Sequence, residues 1–459
     1  MSEPATHDAV FIGWGKGNKT LAAFLAARGE SVLMIEQSDL MYGGTCINIG
    51  CVPTKALVES ANHPSTAGSP SVRYTDAIER KDALTALLRG KNYTMVDSHD
   101  TATVITGRAR FVGKRELEVT AGGETISVRG DKVFIGTGSV PMLPPIPGLD
   151  GPRVVTSTEL IDRTELPPRL VVVGAGSIGL ELATTYASFG STVTVVDAVP
   201  DLLPSMDRDV ADLVASVLAD SGIEVILGAS VDEISDTGSA AVVHLTTSAT
   251  AGSKTQTVEA DLVLAALGRR AATDGLGLDA AGVAVTEKGA IVVDDRLRTT
   301  ADGVWAIGDV NGGPQFTYVS LDDFRIVRDQ LVADGTRTTR DRRAVPTTTF
   351  ITPPLAHVGL TEKEARGEGY DIKVASKRVD TIAAMPRARI VGDTRGIIKV
   401  IVDAATDLVL GATVFCVDSQ EIINLVALAM RHDVTATELR DTIYTHPSST
   451  EALNEVLTI

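Results

Sequence analysis

The sequence predicts an α/β protein with two Rossmann-like dinucleotide-binding domains and a C-terminal α+β domain. Two observations carry this. Twice an apolar strand runs into a glycine turn, a helix and a second strand ending in an acid, and beyond Pro346 the composition turns to β-branched strands and then helices. The length of 459 residues suits two or three domains, and 44% hydrophobic with 22% charged residues is ordinary for a soluble globular chain.

The first unit reads "DAVFIGWGKGNKTLAAFLAARGESVLMIE", in which Ala9 to Ile12 enters Gly13-Trp14-Gly15 and the second strand ends in Glu36. Such a turn lets backbone approach a pyrophosphate at a helix N-terminus, and the acid can accept hydrogen bonds from a ribose. Asn18 stands where the third glycine belongs, with Gly17 beside it, so this fingerprint is incomplete. The second, "LVVVGAGSIGLELATTYASFGSTVTVVD", is complete, with Gly174, Gly176, Gly179 and a closing Asp197. Two such folds imply two dinucleotides. Asp197 suits the free 2′-hydroxyl of NADH and would repel a 2′-phosphate, so NADH is expected ahead of NADPH.

"VFIGTGSVP" (133–141) and "LVLAALGRR" (262–270) read as buried strands ending in glycine turns, one closing each nucleotide domain. "VWAIGDV" delivers Asp309 beyond Gly308. The expected domains are 1–150 and 273–345 for the first nucleotide fold, 151–272 for the second, and 346–459 for the last, after the boundary "VADGTRTTRDRRAVP".

A formal charge of −17 argues against nucleic acid or an anionic membrane as partner. The N-terminus has no basic region ahead of an apolar stretch, and no run reaches the roughly 20 apolar residues of a membrane span. Three cysteines are too few for a secreted disulfide scaffold, so a cytoplasmic protein is expected.

Two of those cysteines, Cys46 and Cys51, share "YGGTCINIGCVPTKAL". On a regular helix their Cα atoms would lie roughly 8–9 Å apart, beyond the reach of about 7 Å for a disulfide. Gly50 and Pro53 allow an irregular first turn. A zinc site needs about four ligands, but no histidine neighbours the pair and Cys416 lies in a distant apolar strand pattern, so no metal is expected. Gly44, Thr45 and the helix start expose a thiol to a positive helix terminus that favours thiolate. A redox-active pair is the reading that uses all of these residues.

"GGTCINIGCVPTK", the two dinucleotide folds, the GD segment and the terminal "HPSSTE" resemble the class I pyridine nucleotide–disulfide oxidoreductases along essentially the whole chain. The resemblance implies FAD on the first fold, a nicotinamide on the second, and a homodimer built by the C-terminal domain. FAD would be held by Gly13, Gly15, Asn18, Glu36 (adenosine ribose), Gly44, Thr45, Ala109 (adenine end), Thr137, Gly138, Gly308 and Asp309 (ribityl chain). NAD(P) would be held by Gly174, Gly176, Gly179, Asp197, Gly268 and Arg269. Cys51 would touch the flavin and Cys46 would exchange with substrate, while Lys55 would sit beside the flavin N5 and pair with Glu181. His446 and Glu451 match the family's acid–base pair, acting across the dimer interface.

The stretches "MYGGTCINIGC", "GGPQFTYVSLDDFRIV", "MPRARIVGDTRG" and "CVDSQEIIN" resemble the reactive-chlorine-resistance subgroup, which implies a hypothiocyanous acid reductase acting on a small oxidant, with Cu(II) a further candidate. Phe316 and Tyr318 stand where most relatives have Leu and Pro, and Ser177 where many have a tyrosine that shields the flavin. The sequence ends at Ile459 without the C-terminal thiol of relay-type reductases. The alternatives are a dihydrolipoamide dehydrogenase or other disulfide reductase, and a flavin-bearing redox sensor with little turnover.

Overall fold

The computed structural model describes residues 4–249 and 252–459. They form two compact units. Unit 1 holds the chain up to Leu57, Asp76–Met142 and Gly268–Asp341; unit 2 holds Val58–Thr75, Leu143–Leu267 and Arg342–Ile459.

In unit 1 the strand Ala5–Ile12 lies between Val32–Glu36 and Glu124–Ile135, parallel to both. Ala102–Thr106 and Val304–Ala306 add parallel strands, while Glu116–Ala121 and Arg108–Gly113 extend the sheet antiparallel. The central strands are continuous apolar runs because both faces are covered. Alternation divides them: Phe11 and Met34 pack with Leu21, Leu25 and Phe324 on the helical side, and Val10, Ile12, Leu33 and Ile35 pack with Phe111, Leu117 and Ile291 on the other. The helices Lys16–Ala26 and Thr317–Val332 therefore share one face, and both start beside the first glycine turn.

Unit 2 contains a parallel sheet in the order Glu224–Ile226, Thr192–Val196, Arg169–Val173, Leu262–Ala265 and Val154–Val155. The antiparallel strands Ala229–Asp236, Ala241–Ala249 and Gly252–Ala260 pack on it through Ala229, Val243 and Leu245 against Val171, Val173 and Val196. Its C-terminal part is an antiparallel sheet, Thr347–Thr349, Leu355–Gly359, Val409–Phe415, Ile397–Asp403 and Ile372–Arg378. The helix Ser419–Arg431 lays Ile422, Ile423 and Val426 on it.

Lys399 fastens the two parts of unit 2. It is buried, and its ammonium meets Asp207, Asp209 and Glu362 at 3.2, 3.0 and 2.9 Å. Removing one side of such a pair leaves uncompensated buried charge, at a cost of about 3–5 kcal/mol. The expected fold class is the one observed: two parallel glycine-turn sheets and a C-terminal α+β part. Among the described residues no helix is long and apolar enough to cross a membrane.

Candidate active site

The first glycine turn is braced from two sides. Gly13 has a φ of +88°, and a Cβ there would lie 2.6 Å from the Gly136 carbonyl oxygen. Glu36 reaches back to the turn, its Oε2 accepting from Trp14 N (3.0 Å) and its Oε1 from Gln37 N (2.8 Å). Burial raises the Glu36 pKa, and the amides of Trp14, Gln37 and Ser38 oppose the rise. Asn18, the departure from the motif, donates its amide to the carbonyls of Ile12, Gly13 and Phe134 at 3.1, 3.0 and 3.3 Å. It fills the room that Gly136 leaves, since a Cβ on Gly136 would fall 2.4 Å from Asn18 Nδ2. Close approach is instead required of Gly17, where a Cβ would lie 2.2 Å from Ile307 Cγ2 and 2.7 Å from Ser320 O.

Glycines at a helix start with no side-chain cap, and an acid at the tip of the next strand, fit the ribose and pyrophosphate of a dinucleotide, as a flavin cofactor of this kind of fold requires. Other residues expected to hold FAD lie in the same unit. Gly44 caps the short helix Thr45–Asn48, and Thr137 Oγ1 donates to Ala272 O at 2.7 Å. Gly138 O accepts from Ala272 N at 2.9 Å, and Gly308 N donates to Asp323 at 2.7 Å. Asp309 accepts from Ser139 Oγ at 2.7 Å. Ala109 lies on Arg108–Gly113 with its methyl in the core.

The two thiols come together because the helix is interrupted. Thr45–Asn48 and Cys51–Asn62 are separate helices, and a Cβ on Gly50 would meet Thr45 O at 2.9 Å. Cys51 is exposed and Cys46 half-buried. Thr317 Oγ1 lies 3.7 Å from Cys51 Sγ. A hydrogen bond to Cys51 pushes the Cys46 thiol far up, burial adds to this, and Thr317 and the charge of Lys19 pull it down. Phe316 and Tyr318 flank Thr317 and stack on each other, centroids 5.1 Å apart at 10°. The Tyr318 hydroxyl is pushed up to about 12 by burial and then by the charge of Cys51.

Gly268 and Arg269, expected on the nicotinamide side, fold with unit 1. The Arg269 guanidinium donates to Ser139 Oγ and O at 2.8 and 2.6 Å. Burial lowers its pKa, against the charges of Asp309 and Cys51. Lys55 is half-buried and donates to Thr54 Oγ1 at 3.3 Å. Thr317, Ser139 and Lys19 were missed by sequence reasoning. Thr317 lay inside a segment singled out only for its aromatics, and Lys19 reads as one more solvated helix lysine.

In unit 2 a Cβ on Gly179 would lie 1.9 Å from Gly174 O, and one on Gly174 would lie 2.4 Å from Ala266 O. Gly176 caps the helix Ser177–Phe189 without a side chain. Asp197 accepts from Ala175 N at 2.6 Å and Val199 N at 3.0 Å. Ser177 Oγ lies 3.0 Å from Thr349 Oγ1, and buried Glu181 accepts from Phe350 N at 2.8 Å. His446 Nδ1 is 2.8 Å from Glu451 Oε1, and its side chain is 72% exposed. The Ser448 amide, bonded to Glu451 at 2.7 Å, and then His446 hold the Glu451 carboxyl low. A carboxylate accepting from Nδ1 leaves Nε2 as the basic nitrogen, the tautomer proton shuttling needs.

The profile described as pyridine nucleotide-disulphide oxidoreductase matches residues 7–323, and that of the family's dimerisation domain matches 345–457. The chain is 46% identical to the probable pyridine nucleotide-disulfide oxidoreductase RclA of Escherichia coli (strain K12), covering 99% of each chain. It is 35% identical to the dihydrolipoyl dehydrogenase of Mycobacterium bovis, covering 98% of this chain and 97% of that protein. With the Bacillus cereus mercuric reductase the identity is 32%, over 97% of this chain and 70% of that one. The structure described as a Cu(II) complex of HOCl-induced flavoprotein disulfide reductase RclA from E. coli superposes with a TM-score of 0.93 at 46% identity, covering 99% of both chains. The chain belongs to the pyridine nucleotide-disulphide oxidoreductases and is a disulfide oxidoreductase.

Proposed function

We propose that the protein passes electrons from NADH through FAD to the Cys46–Cys51 pair and on to a small electrophilic oxidant, with hypothiocyanous acid the best fit. The observation that carries this is the stacked Phe316–Tyr318 pair on either side of Thr317, the residue at the dithiol. Stacked rings there would narrow the approach for a bulky disulfide and admit a four-heavy-atom oxidant. Likeness to an HOCl-induced reductase supports the same reading.

FAD, when bound, supplies two-electron transfer between NADH and the dithiol. The Cys46 thiolate attacks the sulfur of HOSCN, the S–O bond breaks, and the departing hydroxide takes a proton from His446 to leave as water. Cys51 then attacks the Cys46 sulfur, and thiocyanate leaves as the Cys46–Cys51 disulfide forms. The dithiol loses two electrons and HOSCN gains them. Glu451 orients the imidazole, Lys55 would serve the flavin, and Asp197 selects NADH. Asp309 and Glu36 would hold FAD, with the other unit 1 residues named for it above. His446 acts across a homodimer interface, in keeping with its exposure and with the 97% exposed Ile443 nearby. The protein works in the cytoplasm.

The test compares kcat/KM for HOSCN, glutathione disulfide and lipoamide under one set of conditions. HOSCN should win by at least about a hundredfold, roughly 2.7 kcal/mol. Comparable turnover with lipoamide would make this a dihydrolipoamide dehydrogenase instead.

A further inference from the structure

Lys19 has no place in the roles assigned above. It stands in the second turn of Lys16–Ala26 and is only 3% exposed. A helix lysine ordinarily buries its stem and keeps the ammonium in water. Here the ammonium turns inward and donates to the Gly43 carbonyl at 3.0 Å, a carbonyl and not a carboxylate. Gly43 opens the Gly-Gly-Thr-Cys turn that ends at Cys46. Burying an ammonium this way is costly, and burial with the charge of Lys16 lowers the Lys19 pKa to about 8, against the charge of Cys46. The groups acting on Cys46 are Cys51, Thr317 and Lys19. Of these, Cys51 opposes ionisation of Cys46, and Lys19 is the cation.

We propose that Lys19 is a positioning residue for the exchanging thiol: its ammonium pins the Gly43–Cys46 turn and supplies the positive charge that favours the Cys46 thiolate once the disulfide is reduced. This rests on the reading of Cys46 as the thiol that meets substrate. Only the thiolate attacks an electrophilic sulfur. The hydrogen bond that Cys46 donates to Cys51 and the burial of Cys46 both favour the neutral thiol, and Thr317 and the charge of Lys19 beneath the turn oppose them.

The test uses the FAD-loaded, fully reduced enzyme and limiting iodoacetamide from about pH 5 to about pH 10, with the modified cysteine mapped by mass. Wild type should be modified at Cys46, and its midpoint is the reference for the variants. Lys19→Gln keeps a donor for Gly43 but loses the charge; its midpoint should rise by about one unit, slowing modification near neutrality about tenfold. Lys19→Arg should restore most of the wild-type profile. A Lys19→Gln enzyme that holds FAD and keeps the wild-type midpoint would overturn the proposal. Should Lys19→Gln fail to fold, Lys19→Arg decides: arginine keeps its charge where Lys19 loses its own, so a midpoint at or below that of wild type bears the proposal out and one clearly above it overturns the proposal. Modification of Cys51 ahead of Cys46 would overturn the thiol assignment itself, a failure distinct from an unchanged midpoint at Cys46.

Discussion

The two glycine turns share a brace and part at the third motif position. Glu36 grips the Trp14 amide and Asp197 the Ala175 amide, each from the end of the second strand onto the residue between the first two glycines. In the second turn Gly179 brings the helix so close that any Cβ would strike Gly174 O. In the first, Asn18 takes that place and ties three carbonyls, while close approach passes to Gly17 against Ser320 and Ile307. The tie is incomplete, because Asn18 Oδ1 is buried without a protein partner. The motif's third glycine is therefore one way to hold a strand–helix corner, and a side-chain amide that satisfies the corner's carbonyls is another.

Breaking the second turn should have the largest effect. Gly179→Ala sets a methyl against backbone, which cannot give way as a flexible side chain can. NADH should then reduce the flavin at least about a hundredfold less efficiently, while dithionite reduces it normally. Near-normal reduction by NADH in rapid mixing would show that neither corner needs its glycine. The next effect runs against the motif: Asn18→Gly, which restores the fingerprint, should weaken the protein. It removes three hydrogen bonds at a cost of about 1–3 kcal/mol and adds a glycine inside a helix, about 1 kcal/mol more. FAD release, followed by its fluorescence, should occur at a lower temperature than in wild type. A gain in FAD retention would mean that Asn18 only fills space.

Much of this arrangement was legible in the sequence, for physical reasons. Strands covered on both faces must be continuous apolar runs, so Ala9–Ile12, Leu170–Val173 and Leu262–Ala265 announced two parallel sheets. The cysteine pair was legible because glycine, proline and a helix start coincide there. What stayed hidden depends on contacts distant in sequence. Asn18 reads as a defect until Phe134 is beside it, and Lys19 as surface until Gly43 is above it. Thr317 reaches the thiols from a helix far along the chain. Arg269 follows the second fold in sequence but pairs with Ser139 because Arg269–Ala271 zips onto Ser139–Pro141. Residues 58–75 pack with unit 2, where the Tyr74 hydroxyl meets that of Tyr186 at 3.0 Å. No local pattern carries such choices.

Smaller effects sharpen the comparison of the two acids. Asp197→Ala loses both the brace on Ala175 and the repulsion of a 2′-phosphate, so kcat/KM for NADH should fall while the NADPH-to-NADH ratio rises about tenfold, roughly 1.4 kcal/mol. A wild-type preference for NADPH in the same steady-state assay would sink this reading.

Glu36 should give the smallest change, one of slope. Burial raises its folded pKa above the ordinary 4.5, with the Trp14, Gln37 and Ser38 amides limiting the rise. An acid raised in this way contributes stability that is fully present below its unfolded pKa and is lost as pH rises through the folded value. FAD-free wild type should therefore lose a little thermal stability across that window, read as a lower melting temperature. Glu36→Gln carries no proton to lose and keeps an oxygen to accept from Trp14 N, so its melting temperature should vary less over the same pH range. Equal slopes in the two proteins would mean that the Trp14 and Gln37 amides already offset the burial. The Glu36 brace would then be as ready to carry charge as an exposed carboxylate.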